Sequence, residues 1–489
     1  MNPQHPRRPI AALLCLALLQ ASCSATAQAA LPWPEPAQPQ PQPTFVRSTP
    51  NFQAPSATHC ARPVTMREVP GLVPPPQQQQ HYGRSAPREE LARSAPAARD
   101  SVSSSAAPPP PMAAAPALRG APFAQHDGVP PHQPQEAHPQ HRPAPVVTAG
   151  VVDDNADFGA YLAFRDRTLV AHRARDIRDR YLLEVKDPRG RGVADAEVVV
   201  HGTSGYATWV RTDGAGRAWL HPDAFDGARS SHYQVVARKD GRHATSRLVR
   251  GQKSAVEVVL DAAPATARAR LDLVFLIDAT GSMADEIDKL KATLRTITAE
   301  VARLPSQPDL CLGLVAYRDR TDAFLVRSHD FTNDVGAFLQ QALQPLRAAG
   351  GGDYPEAMNE GLNEAVHQLS WRGDGATRMV ILLADAPPHL DYGAPHYDDD
   401  MIAAQGKGIK IFGVGASGLD RQGEFIQRQI AQYTGGKFVF LTYADAHRPG
   451  RGPGRETTHD VQNYSVDTLD RLIVRLVTDE LAKADRRGN

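Results

Sequence analysis

Cysteine is scarce in this chain, four residues in 489, and the four are far apart: Cys15, Cys23, Cys60 and Cys311. No disulfide framework follows from such spacing, and cysteine–histidine zinc spacings are missing. Cys311 lies inside the apolar run "LCLGLVAY" and is expected to act as a small buried hydrophobe, so the fold is expected to stand without disulfides. Excess charge is missing too: 54 Lys and Arg balance 54 Asp and Glu, with no basic stripe, which argues against a nucleic-acid partner. Long apolar runs are confined to the N-terminus, where Arg7 and Arg8 precede "IAALLCLALL", too short for a comfortable membrane span. The folded part has no G-x-x-x-x-G-K phosphate loop and no nucleophile–base pair, which leaves little for a catalytic reading.

What is present is unevenly distributed. The basic start, apolar run and small residues of 1–29 have the order of an export signal. "Ala27-Gln28-Ala29" before Ala30 fits signal-peptidase cleavage, whereas "LQASC" resembles a lipoprotein box that would place a lipid anchor on Cys23. An exported location follows: periplasm, outer membrane or cell surface. Residues 30–150 hold 27 of the 42 prolines if counted from residue 31, together with Gln and Ala/Ser runs. Such a stretch buries too little apolar surface to offset its ordering entropy, so it is expected to be a disordered spacer and tether. Residues 151–178 are expected to form a connector without a clean period, partly helical.

From Tyr181 the period becomes that of short strands, "YLLEVKD", "AEVVVHG", "ATWVRT", "RAWL", "YQVVARKD" and "SAVEVVLD", with turns at "DPRGRG", "TDGAGR" and "KDGR". This predicts a small β-sandwich over 179–262. Its pattern resembles the carboxypeptidase regulatory-like or bacterial Ig-like modules, which implies a spacer or adhesion role. Over 268–485, apolar strands "LDLVFLID", "LCLGLVAY", "MVILLAD", "IKIFGVG" and "KFVFLTY" alternate with amphipathic stretches near 333–347, 355–370, 397–408, 422–433 and 465–484. The α/β alternation predicts a doubly wound, mostly parallel sheet, with "KFVFLTY" as an edge or last strand. Ligands of such sheets bind beyond the carboxyl ends of the strands.

Chemistry concentrates there. "FLIDATGSM" ends a buried strand with Asp278, Thr280 and Ser282, and "MVILLAD" ends its neighbour with Asp385. Between them "AGGGDYPEAMNEGL" carries Asp353 and Glu356. Two or three carboxylates and two hydroxyls are the hard-oxygen donor set of Mg²⁺, or Mn²⁺ in its place.

D-x-T-G-S at 278–282 resembles the metal-ion-dependent adhesion site of von Willebrand factor A domains, and "GGGDYPE" is similar to the loop of integrin β-subunits and hemicentin-like A domains. The resemblance implies a metal held by Asp278, Thr280, Ser282, Glu356 and Asp385, and a protein partner whose acidic side chain completes its shell. It also implies accessory ions, Ca²⁺ among them, near Asp285, Glu286, Asp319 and Asp353, although Gly351 stands where an asparagine of one accessory site is usual. Plainer expectations stand beside these. Asp285 and Glu286 suit a helix N-terminus, Asp319 suits a solvated loop charge paired with Arg318 or Arg320, and the loop 386–400 with His389 and His396 suits solvent. The functional expectation is a metal-dependent binding module of the bacterial cell envelope, not an enzyme. The alternatives are a structural envelope spacer and a Mg²⁺-dependent phosphatase, whose second aspartate is replaced by Thr280.

Overall fold

The computed structural model describes residue 60 and residues 64–72, 146–262, 268–352, 354–373 and 375–485. The export signal with Cys23, most of the Pro-rich stretch, Asp353 and the side chain of Asp285 lie outside the described residues.

Two strands precede the first helix: β1 (Met66–Pro70) and β2 (Thr148–Val152), then α1 (Phe158–Arg167). Seven short strands follow: β3 (Tyr181–Lys186), β4 (Glu197–Gly202), β5 (Ala207–Arg211), β6 (Arg217–Leu220), β7 (His232–Lys239), β8 (Arg242–Val249) and β9 (Val256–Val259). They form two sheets, β6-β3-β9 and β5-β4-β7-β8, closed over Leu183, Val185, Val198, Val200, Val235 and Leu248. Alternating residues of each strand supply that core.

The larger unit alternates β10 (Arg270–Asp278), α2 (Ala284–Ala302), β11 (Asp309–Tyr317), β12 (Phe324–Thr332) and α3 (Val335–Ala337), which continues as π-type turns over Phe338–Leu343. Then come α4 (Met358–Asn363), β13 (Ala376–Ala384), α5 (Tyr397–Lys407), β14 (Ile409–Gly415), α6 (Arg421–Thr434), β15 (Phe438–Thr442), β16 (Val466–Thr468) and α7 (Leu469–Asp485). The sheet has nine strands in the order β1-β12-β11-β10-β13-β14-β15-β2-β16. Its central pairs β11-β10-β13-β14-β15 are parallel. β10 shows why both faces must be covered: Leu273, Phe275 and Ile277 meet α2 and α7 on one side, while Val274 and Leu276 meet α4, α5 and α6 on the other.

Three expectations change. Met66–Pro70, in the stretch expected to be spacer, is an edge strand antiparallel to β12. Cys60 is bonded to Cys311, with Cα atoms 5.9 Å apart, so the fold does carry a disulfide. A separation of 251 residues hides that pairing from any local reading. β15 is not an edge, because β2 arrives from the N-terminal side to pair with it and β16 closes that flank. The connector is ordered through α1, whose Phe164 stacks on Phe425 of α6 at 5.9 Å.

The sandwich sits at the amino ends of the parallel strands. Asp195 accepts from Arg378 Nη1 at 2.9 Å and from the Gly375 amide at 2.7 Å, both at the start of β13. The carboxyl ends of the strands are left to the loops.

Candidate functional site

Parallel register sets Ile277 of β10 opposite Leu383 of β13, so Asp278 and Asp385 leave neighbouring strand ends side by side. Asp278 and Thr280 are fully buried. The Thr280 amide and hydroxyl both donate to Asp278 Oδ1, at 3.0 and 2.6 Å, and the Thr280 and Ser282 hydroxyls lie 3.1 Å apart. Ser282 also faces Asp385. The local turn that achieves this, Gly281–Met283, is pinned from outside by the Gly281 amide donating to Gly350 O at 2.9 Å.

On the far side of the two carboxylates, Asp278 Oδ2 and Asp385 Oδ1 are buried and accept no hydrogen bond among the described residues. The Tyr317 hydroxyl faces Asp278 without reaching hydrogen-bonding geometry. Burial first, and then the charge of Asp385, push the Asp278 carboxyl up to about 7; burial raises Asp385 as well. Two like charges taken from water and aimed at one space are costly unless a cation joins them.

Glu356 arrives on the loop before α4 and is buried. Its amide donates to Pro387 O at 3.1 Å and its carbonyl accepts from the His389 amide at 3.2 Å, which stitches it to the chain leaving Asp385. Gly351, at φ +68°, fills the gap between the two halves: a Cβ there would lie 2.9 Å from Glu356 Oε1 and 3.2 Å from Thr280 Cβ. Asp322 holds this loop, accepting from the Gly351 and Asp319 amides at 2.9 and 3.0 Å. Asp322 and Tyr317 carry little local signal: one is the second acid of "YRDRTD", the other a tyrosine ending a buried strand.

The side chains near the rim differ from the plainer expectations. Asp319 is fully buried rather than solvated and accepts from the Tyr392 hydroxyl at 3.2 Å. The 386–400 segment is packed at its two ends and exposed between them: the His389 ring stacks on Tyr392 at 3.6 Å, Asp398 and Asp400 of α5 pair with Arg175 at 2.7 Å and with Asn363 and His367 at 2.9 Å each, while Asp391, Gly393 and Ala394 stay exposed. Glu286 faces inward, accepting from Ser417 and from the Tyr443 hydroxyl, the latter at 3.0 Å. Among the described residues, the one triple of metal-ligating types closed within 4.8 Å is Cys60, Asp272 and Cys311, and its cysteines are bonded to each other. Asp278, Glu356 and Asp385 do not form such a triple.

A strand-end Asp-x-Thr-x-Ser turn, a neighbouring strand-end aspartate and an α/β sheet now stand together. Residues 272–443 match the von Willebrand factor type A domain. A domains are in general protein-interaction modules and commonly hold a divalent metal. The curated relatives share only this part. The alpha-protein kinase vwkA of Dictyostelium discoideum is 30% identical over 148 residues, 29% of this chain and 22% of the kinase. The putative ariadne-like RING finger protein R811 of Acanthamoeba polyphaga mimivirus is 29% identical over 124 residues, 25% of this chain and 12% of that protein. The chain thus spans about a fifth of the kinase's length. Among solved structures, the pilus adhesin SpaC of Lactobacillus rhamnosus GG in its open conformation aligns at TM-score 0.28 and 15% identity, over 54% of this chain and 35% of the adhesin. The SpRpn10 VWA domain aligns at TM-score 0.25 and 17% identity, over 33% of this chain and 82% of that domain. No helix among the described residues is long and apolar enough to cross a membrane.

Proposed function

We propose that the A domain is a metal-dependent protein-binding module of the bacterial cell envelope, with Asp278, Thr280, Ser282, Glu356 and Asp385 as the metal's residues. The observation that carries this reading is the pair of buried, unaccepting oxygens Asp278 Oδ2 and Asp385 Oδ1 beside two hydroxyls. An all-oxygen donor set favours Mg²⁺ or Mn²⁺. Bound there, the cation would keep a position open for a carboxylate of the partner. The chain's own part is to hold the hydroxyls and carboxylates in place and to frame the opening. Tyr354, half exposed beside the loop of Glu356, offers the partner an aromatic surface. Accessory Ca²⁺ at Asp285, Glu286, Asp319 and Asp353 is secondary, because Glu286 and Asp319 already accept hydrogen bonds from Ser417, Tyr443 and Tyr392.

The same reading takes the chain as exported, with or without a lipid anchor at Cys23. A disulfide between Cys60 and Cys311 suits an oxidising compartment outside the cytoplasm. The direct test is calorimetry of Mg²⁺ and Mn²⁺ binding to the full chain and to Asp278→Ala, followed by cross-linking of partners in cells. Wild type is expected to bind the ion and to lose its partners with chelator or with Glu356→Ala. Equal partner yields in all three conditions would leave only the structural spacer.

A further inference from the structure

A second feature of the A domain stands beside the metal rim. A cavity of about 480 Å³ opens between α2 and the segment after α3, lined by Asp288, Lys291, Ala292, Arg295, Gln344 and Arg347. Three cations line it against one carboxylate: Arg295 and Arg347 are exposed, Lys291 is largely covered at 11% with Asp288 as its partner, and Asp288 is 86% exposed. The cations are held in position. Arg347 Nη1 donates to Gln344 O and Leu346 O at 2.6 and 2.8 Å, Arg295 Nη2 donates to Gln344 Oε1 at 3.3 Å, and Lys291 pairs with Asp288 at 3.2 Å.

Position relative to the rim gives the groove a meaning. Ser282 lies just before α2, and Lys291 and Arg295 lie one turn apart farther along the same helix. At 1.5 Å per residue they are roughly 10 to 16 Å from the helix start. On the other wall, Arg347 precedes the loop whose Gly350 carbonyl is bonded to Gly281. An extended peptide covers that distance in about three to five residues.

We infer that the partner binds through an acidic segment: one carboxylate at the metal rim, and further carboxylates a few residues along seated on Lys291, Arg295 and Arg347. This rests on the proposed function for the first carboxylate only; the groove itself stands on its own charges. Electrostatic complementarity of this kind selects the partner and speeds its capture more than it adds affinity at high salt.

The test uses the full chain and two fluorescent peptides: ten glutamates, and one glutamate followed by nine glutamines. Anisotropy is read in Mg²⁺ and in chelator, at low and high salt. Wild type is expected to prefer the all-glutamate peptide at least tenfold at low salt, and Arg295→Glu, or the milder Lys291→Gln, to lose most of that preference while Mg²⁺ binding by calorimetry is unchanged. A preference kept within twofold in both variants overturns the inference. So does tighter binding of a heparin fragment with the same Arg295 dependence, which would assign the groove to sulfated glycans. Should wild type bind no Mg²⁺, the metal reading fails, and the groove is judged by the salt-sensitive preference in chelator alone.

Discussion

Asp278 and Asp385 set a conflict between stability and binding. Without a cation, two buried carboxylates share a space where neither oxygen on the far side is bonded. Asp278→Asn removes one charge and keeps the shape, so in chelator it is expected to be more stable than wild type by on the order of 1–3 kcal/mol and to unfold at a higher temperature. The same variant is expected to lose the stabilisation that saturating Mg²⁺ gives wild type, both read from melting curves with and without the ion. Gly351 is the complementary case. With φ at +68° and no room for a Cβ beside Glu356 and Thr280, Gly351→Ala is expected to cost about 1–3 kcal/mol and to weaken ion binding even though it touches no charge. Denaturant melts and ion titration of that variant check both parts.

At the scale of elements, the sandwich and the A domain meet through buried polar groups. His221, just after β6, is buried and lies over the Tyr433 ring of α6 at 5.2 Å. Burial, and then the nearby Arg180, push its pKa down to about 3, so the ring is neutral in the fold. The unfolded chain protonates such a ring near 6.5. Between those values the unfolded state binds the extra proton, so the stability linked to His221 is complete above about pH 6.5 and is lost as pH falls towards 3. His221→Phe is expected to flatten that part of the stability profile, measured as the melting temperature at pH 7.5 and at pH 4.5; equal slopes for variant and wild type would contradict it. Asp195 works differently at the same interface. Its carboxylate is held down by Arg378 and Arg211 against the burial that raises it, and it fixes the sandwich at the end of the sheet away from Asp278.

For the whole molecule, the disulfide and the outer strands revise how the Pro-rich stretch is used. Cys60 is tied to β11, the amide of Leu72 donates to Arg320 O at the carboxyl end of the sheet, and Thr148 re-enters opposite Thr442 at the same end. The chain between residues 72 and 148 therefore begins and ends on the A domain. Protease cutting between residues 73 and 145 is expected to give two fragments that stay together on a non-reducing gel and separate on reduction. Reduction or Cys60→Ser is further expected to cost about 2–5 kcal/mol and to raise amide exchange in β12 as β1 loosens.

The α/β alternation, the small β-sandwich and the acidic strand ends were legible in the sequence, because those features are written in local periods and in short motifs. The helices near 397–408 and 422–433 are α5 and α6 almost residue for residue. "FLIDATGSM" likewise marks the place where Asp278, Thr280 and Ser282 gather. Tertiary structure alone decided what depends on distant partners. β1 and β2 became strands because the sheet offered free edges on either flank. Cys60 found Cys311 across 251 residues. Asp319 and His389 were buried because Tyr392 folds back over them. A period or a motif reports what a residue does to its neighbours in the chain; burial and pairing across the sheet are set by which segments arrive beside them.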